Sequence, residues 1–220
     1  MTDSPPSANR SQTAGMILCG GKSTRMGRPK WSLPLGNENC LARTVRMLRE
    51  VVSSIIVVAA EDQKVTGLPS DVVLVRDQIP EKGPLAGISA GLDFLQNDKS
   101  INAAYVTGCD VPLLTPEFVT AIIDQLGNHD LAVVKEGKFH HPLAGVYRVN
   151  LADRVASLLS AGRLRPLFLI EESNSREIDV GELRDIDPHL DSLRNMNTPE
   201  QYRDILAASG LPIPDWLDDL

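Results

Sequence analysis

The sequence predicts an α/β fold of three layers, α/β/α, with a mainly parallel, Rossmann-like sheet. Short apolar runs of strand length alternate with stretches whose apolar residues recur at helical spacing, which favours helices packed on both faces of a parallel sheet. At 220 residues the chain suits one α/β domain with a sizeable core. Neither an internal repeat nor a linker composition interrupts it, so a single domain over residues 14–210 is expected.

The elements follow in order. Residues 1–13 are polar and rich in Ser and Pro, and read as a flexible leader without the apolar core of a signal peptide. Gly15-Met16-Ile17-Leu18-Cys19 reads as a buried strand, and residues 20–30 as a loop dense in glycine and basic side chains. Leu41, Val45 and Leu48 share one helical face. Ile55–Ala59 and Val72–Val75 read as strands, and Pro84 as a helix entry with Leu85, Ile88 and Leu92 along one side. A further strand, Ala103–Val106, runs into Thr107-Gly108-Cys109-Asp110.

Thr115 caps the next helix, with Pro116 at its first position and Glu117 at the positive end of its dipole. Phe118, Val119, Ile122, Ile123 and Leu126 form its apolar face. Leu131–Val134 and Leu143–Tyr147 read as strands, and Leu151, Val155, Leu158 and Leu159 mark another helix. Thr198-Pro199-Glu200-Gln201 is a capping-box sequence opening the last helix. Residues 211–220 form an acidic tail that composition alone would leave loosely attached.

Composition narrows the function classes. A formal charge of −7 argues against nucleic acid or an anionic membrane as the main partner, while leaving room for an anionic small substrate in a locally basic cleft. Cys19, Cys40 and Cys109 show neither CxxC nor a Cys/His zinc spacing, and their odd number disfavours a disulfide framework, as expected of a cytoplasmic protein. No apolar run approaches the roughly 20 residues that span a bilayer. A monomer or weak oligomer is expected.

The densest chemistry lies in Gly20-Gly21-Lys22-Ser23-Thr24-Arg25-Met26-Gly27-Arg28-Pro29-Lys30, delivered by the first strand to the carboxyl edge, where open sheets bind ligands. Paired glycines let backbone N–H groups approach phosphate, and Arg25 and Lys30 can supply charge to its oxygens. The other reading is a solvated basic turn. A Walker A loop is excluded, because it requires glycine where Met16 stands and would turn the apolar strand into loop. GxGxxG is also absent.

Leu18-Cys19-Gly20-Gly21-x-Ser23-x-Arg25-Met26-Gly27-x-x-Lys30 resembles the signature loop of the molybdenum cofactor guanylyltransferases, part of a wider nucleotidyltransferase family with sugar-phosphate members. Gly83-Pro84-Leu85-Ala86-Gly87-Ile88 resembles that family's second motif, Cys109-Asp110-Val111-Pro112 its metal-binding Asp-x-Pro, and Asn195-x-Asn197-Thr198-Pro199 its C-terminal signature. The four segments occur in the family's order from about Gly15 to about Ile205. Pro29 departs from the family, which often has Asp there, and Pro-Lys is common in cytidylyl and sugar-phosphate relatives. Gly20-Gly21 is the guanylyl type, and with Asn-Thr-Pro it favours GTP.

The resemblance implies a nucleotidyltransferase fold and in-line displacement at the α-phosphorus, with pyrophosphate leaving. Leu18, Cys19, Gly20 and Gly21 would line the nucleotide site through backbone groups. Arg25 and Lys30 would bind the β- and γ-phosphates, with Lys30 the preferred catalytic cation. Asp110 would contact the nucleotide and bind Mg²⁺, although a strand-end carboxylate can equally cap a turn. Asp77 would touch the nucleotide or its metal environment, or form a turn. Ala59 stands where relatives often carry Asn, so any contact there would come from backbone. The implied acceptor is molybdopterin carrying its metal, with molybdoenzymes or other cofactor-biosynthesis proteins as possible partners.

Cys19 and Cys109 are set aside as catalysts, being small residues without partner spacing. Two other features carry alternatives. His140 and His141 shuttle a proton, meet the acceptor, or sit as a loop or edge-strand pair. Arg163 and Arg165 bind the acceptor phosphate or begin a helix. The competing functions are cytidylyl transfer, sugar-phosphate nucleotidyl transfer, or a non-catalytic nucleotide-binding adaptor in molybdoenzyme maturation.

Overall fold

The computed structural model describes residues 10–20, 27–79 and 82–219. Among them, nine strands and six α-helices follow the chain as β1 (Thr13–Leu18), β2 (Pro34–Leu35), β3 (Glu38–Asn39), α1 (Cys40–Arg49), β4 (Ser54–Ala60), β5 (Val72–Asp77), α2 (Pro84–Leu95), β6 (Ala103–Gly108), α3 (Pro116–Asp124), β7 (Leu131–Glu136), β8 (Phe139–Arg148), α4 (Ala152–Ser160), α5 (Pro166–Glu171), β9 (Ser175–Asp179) and α6 (Pro199–Ala208).

Seven strands form one sheet in the order β5-β4-β1-β6-β8-β7-β9. The pairs β1·β4, β1·β6, β4·β5 and β7·β9 are parallel, and β8 runs against both its neighbours. That reversal follows from a tight hairpin: Glu136 pairs with Phe139, and Gly137 takes a φ of 57° at the turn between them. As a result the start of β8 and the turn before it project past the carboxyl end of β6.

Alternation along each central strand divides the core. Ile17, Val57, Tyr105, Val134 and Val146 face α1 and α3, packing on Leu41, Val45, Leu48, Phe118 and Ile122. Met16, Leu18, Ile56, Val58, Val106 and Val133 face the other way, onto Leu85, Ile88 and Leu92 of α2, Val155 of α4 and Leu169 of α5. Burial on both faces is why these strands read as continuous apolar runs. A third cluster lies outside the three layers, where Leu33, Leu35 and Cys40 pack against Met196, Tyr202, Ile205 and Leu206.

Gln12 accepts a backbone hydrogen bond from Asn102 and Thr13 one from Ser53, so these two residues are tied to the base of the sheet, while residues 1–9 of the expected leader lie outside the described residues. In the acidic tail, Leu217 is only 2% exposed and belongs to the third cluster. Thr198 caps α6 by accepting from the Gln201 N–H, but the Gln201 side chain does not close the expected box. Its Oε1 accepts instead from the Asn197 N–H at 2.7 Å. No helix among the described residues is long and apolar enough to cross a membrane.

Candidate active site

The site forms where β1 and β6 end side by side. Leu18 pairs with Gly108 as their last matched residues, and the next amide, Cys109 N–H, still donates to Leu18 O at 3.2 Å. On the other side Cys19 N–H donates to Val58 O at 2.8 Å. The chain therefore leaves β1 along a backbone aligned with both neighbours. Gly20 stands at this exit, and among the described residues an added Cβ there would meet no atom within 4 Å.

Gly108 has a different reason to lack a side chain. A Cβ there would lie 2.4 Å from Asp110 Oδ1, so the missing methyl is what lets the carboxylate fold back over the strand end. Once there, Asp110 Oδ2 accepts from Lys30 Nζ at 2.7 Å, and the two side chains are only 19% and 22% exposed. The same ammonium donates to Asn197 Oδ1 at 2.6 Å. Segments separated by 80 and 167 positions thus meet at one nitrogen.

The backbone holds this junction from three sides. Met196 N–H donates to Asp110 O at 2.9 Å, and Gln201 fixes the Asn197 amide. Arg43 of α1 reaches Pro112 O at 2.6 Å, bracing the turn that carries Asp110. Lys30 opens a short 3₁₀ turn over Lys30–Ser32, with Leu33 N–H returning to Lys30 O at 3.2 Å and the Leu33 side chain fully buried.

A second cluster of contacts closes the strand edge toward β4. Gln63 Nε2 donates to Cys19 O at 2.9 Å, while Arg76 Nη1 donates to Ala60 O and Gln63 O at 3.0 and 2.6 Å. Asp77 lies at the carboxyl end of β5, in register with Ala60, and accepts the Ile79 N–H at 2.9 Å in a local turn. It shares the edge with Lys30 and Asp110 but makes the turn that its sequence equally allowed. α2 begins at the same edge, with Gly83 as N-cap at φ 75° and Pro84 in its first turn. Its first turn carries no acidic side chain that would offset the positive end of the helix dipole.

The remaining candidates divide. Gly21 and Arg25 lie outside the described residues. Cys19 and Cys109 are buried neighbours, and the hydrogen bond from Cys109, followed by burial, pushes the Cys19 thiol well above its ordinary range. His140 contacts Glu177 at 2.9 Å, and Lys135 pairs with the same carboxylate, holding it below the usual range. Arg163 pairs with Glu172 and lies 4.3 Å from the centre of the Phe168 ring, a packing role within its own corner. Arg165 is exposed at the N-cap of α5.

Gln63, Arg76 and the Asn197 side chain were not singled out from sequence. Asn197 had a signal in its place just ahead of Thr198-Pro199, but nothing local indicates that its side chain meets a lysine 167 positions away. Among the described residues no group of three or more His, Cys, Asp or Glu side chains is placed to hold a metal by itself.

Comparison with known proteins agrees with this fold. The family model of the MobA-like NTP transferase domain matches residues 15–176. A Carboxydothermus hydrogenoformans protein named probable molybdenum cofactor guanylyltransferase is 33% identical over 197 residues, covering 89% of this chain and 95% of that one. The crystal structure of molybdopterin-guanine dinucleotide biosynthesis protein A from Archaeoglobus fulgidus superposes with a TM-score of 0.75 at 21% identity, over 90% of this chain and 98% of that one. A Mycobacterium tuberculosis protein solved in complex with manganese shares the fold at a TM-score of 0.55 and 19% identity, over 77% of this chain and 88% of that one. The chain belongs to the MobA-like NTP transferase family.

Proposed function

We propose that this protein transfers GMP from GTP to the terminal phosphate of molybdenum-loaded molybdopterin, in a Mg²⁺-dependent reaction. An acceptor phosphate oxygen attacks the α-phosphorus, the bond to the β-phosphate oxygen breaks, and pyrophosphate leaves. The product is the guanine dinucleotide form of the cofactor. The observation that carries the reading is the meeting of Lys30, Asp110 and Asn197 at the carboxyl ends of β1 and β6.

Such a transfer needs positioning and neutralisation of phosphoryl charge rather than a covalent protein intermediate. Lys30 supplies a cation anchored at its backbone by a short turn, and would follow the β- and γ-phosphates as pyrophosphate departs. The backbone at Leu18, Cys19 and Gly20 would cradle the nucleotide, and among the described residues no atom would crowd a Cβ at Gly20, which suits close approach of a phosphate or base. The α2 N-terminus, with no acidic side chain in its first turn, would add N–H dipoles at the same edge. Asp77 would contact the nucleotide from the end of β5.

Asp110 would hold the metal. A strand-end carboxylate suits Mg²⁺, which keeps several waters and is commonly bound by one or two carboxylates together with substrate phosphates. Bound there, the ion neutralises phosphate charge. Three buried, unpaired thiols agree with the reducing cytoplasm in which such a cofactor would pass to molybdoenzymes.

Pyrophosphate release tests the reading, with GTP and CTP each offered to molybdate-loaded molybdopterin and to a panel of sugar phosphates. Release with GTP and the pterin alone is expected. Release only with CTP or a sugar phosphate would overturn the named substrates, and nucleotide binding without release would make the protein an adaptor.

A further inference from the structure

The segment after α6 lies beyond the matched family region, which ends at residue 176, yet it reaches the arm that carries Lys30. Gly210, at φ 63°, turns the chain, and Leu211 N–H donates back to Leu206 O at 2.9 Å. Leu211 then packs over Gly36, whose added Cβ would lie 3.1 Å from Leu211 Cδ2. A 3₁₀ turn over Asp215–Asp219 buries Leu217 in the third cluster and lays the Trp216 ring on Tyr202, with centroids 6.0 Å apart and planes at 24°. Tyr202 OH donates to Pro34 O, so this stack is tied to the strand that follows Lys30–Ser32.

The same indole receives Arg28, whose guanidinium carbon lies 4.5 Å from the ring centre. Only Pro29 separates Arg28 from Lys30. Its φ of −60° is fixed by the ring, and its carbonyl accepts from Ser32 N–H and Ser32 Oγ at 3.0 and 2.8 Å. Holding Arg28 therefore constrains the direction in which Lys30 leaves the backbone.

We infer that Trp216 is a positioning residue for Lys30: by stacking on Arg28 it holds the Arg28–Lys30 arm in the geometry that meets the nucleotide phosphates. This rests on the proposed role of Lys30, but not on the identity of the base or the acceptor. An exposed cation–π contact corresponds to an effect of about two- to fivefold.

The test measures binding of Mg·GTP and Mg·CTP by calorimetry, and KM and kcat by pyrophosphate release, in the full chain. Trp216→Leu keeps an apolar side chain without an aromatic face, Trp216→Phe keeps the face, and Arg28→Gln removes the cation. Trp216→Leu and Arg28→Gln should each weaken nucleotide binding and raise KM about two- to fivefold, with kcat changed less. The double variant should be no worse than either single, and Trp216→Phe should restore most of the loss at matched melting temperature.

Unchanged binding in Trp216→Leu overturns the inference. So do losses that multiply in the double variant, or a far larger loss in Arg28→Gln, since either would mean that Arg28 touches the nucleotide itself. Equal losses in the Phe and Leu variants would reduce Trp216 to packing and also overturn it. The guanylyl reading fails separately: a wild-type chain that binds nucleotide without releasing pyrophosphate still allows the binding comparison.

Discussion

Replacing Lys30 by alanine separates a structural ion pair from a catalytic cation, because the two readings predict effects of different size. As a structural loss, Lys30→Ala leaves Asp110 Oδ2 and Asn197 Oδ1 without the ammonium they share. An orphaned polar group costs about 1–3 kcal/mol. At 19% exposure water can partly replace the lost partner of Asp110, so the low end, about 1 kcal/mol, applies. In a chain of this size that lowers the melting temperature by about 2–4 °C. As a catalytic loss, removing one preorganised charge-stabilising group lowers turnover about 10²–10³-fold, or about 2.7–4 kcal/mol.

The assay is pyrophosphate release at saturating Mg²⁺, well below the melting temperature, beside a thermal melt. Lys30→Ala and Asp110→Ala should each melt within a few degrees of wild type and lose turnover by those two to three orders of magnitude. In the double variant the stability cost should fall below the sum of the two singles, because Asp110 and Lys30 no longer leave each other unpaired and of this junction Asn197 Oδ1 alone loses its donor, while activity stays low. Turnover above a tenth of wild type in both single variants would refute the assignment. So would recovery of activity in the double variant.

Three further outcomes are expected. Glu177→Gln removes a carboxylate whose pKa is held down by the Lys135 contact first and the His140 contact second. A depressed carboxylate stabilises the fold above the ordinary Glu pKa of about 4.3 and loses that contribution as pH falls through its folded value. The melting difference from wild type should therefore be present at neutral pH, amount to less than about 1 kcal/mol for so exposed a pair, and vanish in acid; a difference that grows in acid would contradict it. Ellman's reagent at pH 8 should leave Cys19, Cys40 and Cys109 unmodified in the native protein and titrate all three after unfolding, since all three are buried, and the Cys109 hydrogen bond, then burial, raises the Cys19 thiol while burial raises that of Cys40; rapid reaction in the native state would contradict this. In Gly145→Ala the new Cβ would meet Ala132 O at 2.8 Å, a backbone atom that cannot swing aside, so a loss of about 1–3 kcal/mol should appear in a denaturant melt.

The parts of the fold legible in sequence are those where burial is two-sided or a helix end carries a named cap. β1, β4 and β6 announce themselves as apolar runs, and Thr115 and Thr198 cap α3 and α6 as their sequences suggest. β9, an edge strand spelled Ser-Arg-Glu-Ile-Asp, was not read, because among its five residues only Ile178 is buried. β2 and β3 are two residues each, too short for any periodicity. β8 was anticipated as a strand but not as a reversed one. It also leaves its early register with β7: Val133 faces Gly145, yet Val134 faces His141, a bulge recorded in no local pattern.

The site was legible as separate segments and illegible as a junction. Lys30, Asp110 and Asn197 each stand in a recognisable stretch, but their meeting depends on the strand order β1-β6 and on the return of the chain after β9. Gln63 and Arg76 carry no motif at all. They act through carbonyls of Cys19, Ala60 and Gln63, which any residue presents, so only the folded geometry reveals them.

The Lys30–Asp110 pair bears directly on how the proposed reaction would begin. The turn at Asp110 is fixed through its carbonyl by Met196 and through Pro112 by Arg43, whereas the carboxylate itself is held by a side chain. Gly108 leaves the space in which that carboxylate turns. Exchange of partners, a cation for Asp110 and phosphate for Lys30, would then need only side-chain torsions about a backbone already in place. Because each group passes from one opposite charge to another, neither is exposed unpaired in a partly buried site, where an unpaired charge is costly. A positioned backbone with exchangeable side chains is what in-line transfer requires, since its rate depends on orientation that does not have to be acquired at the moment of reaction.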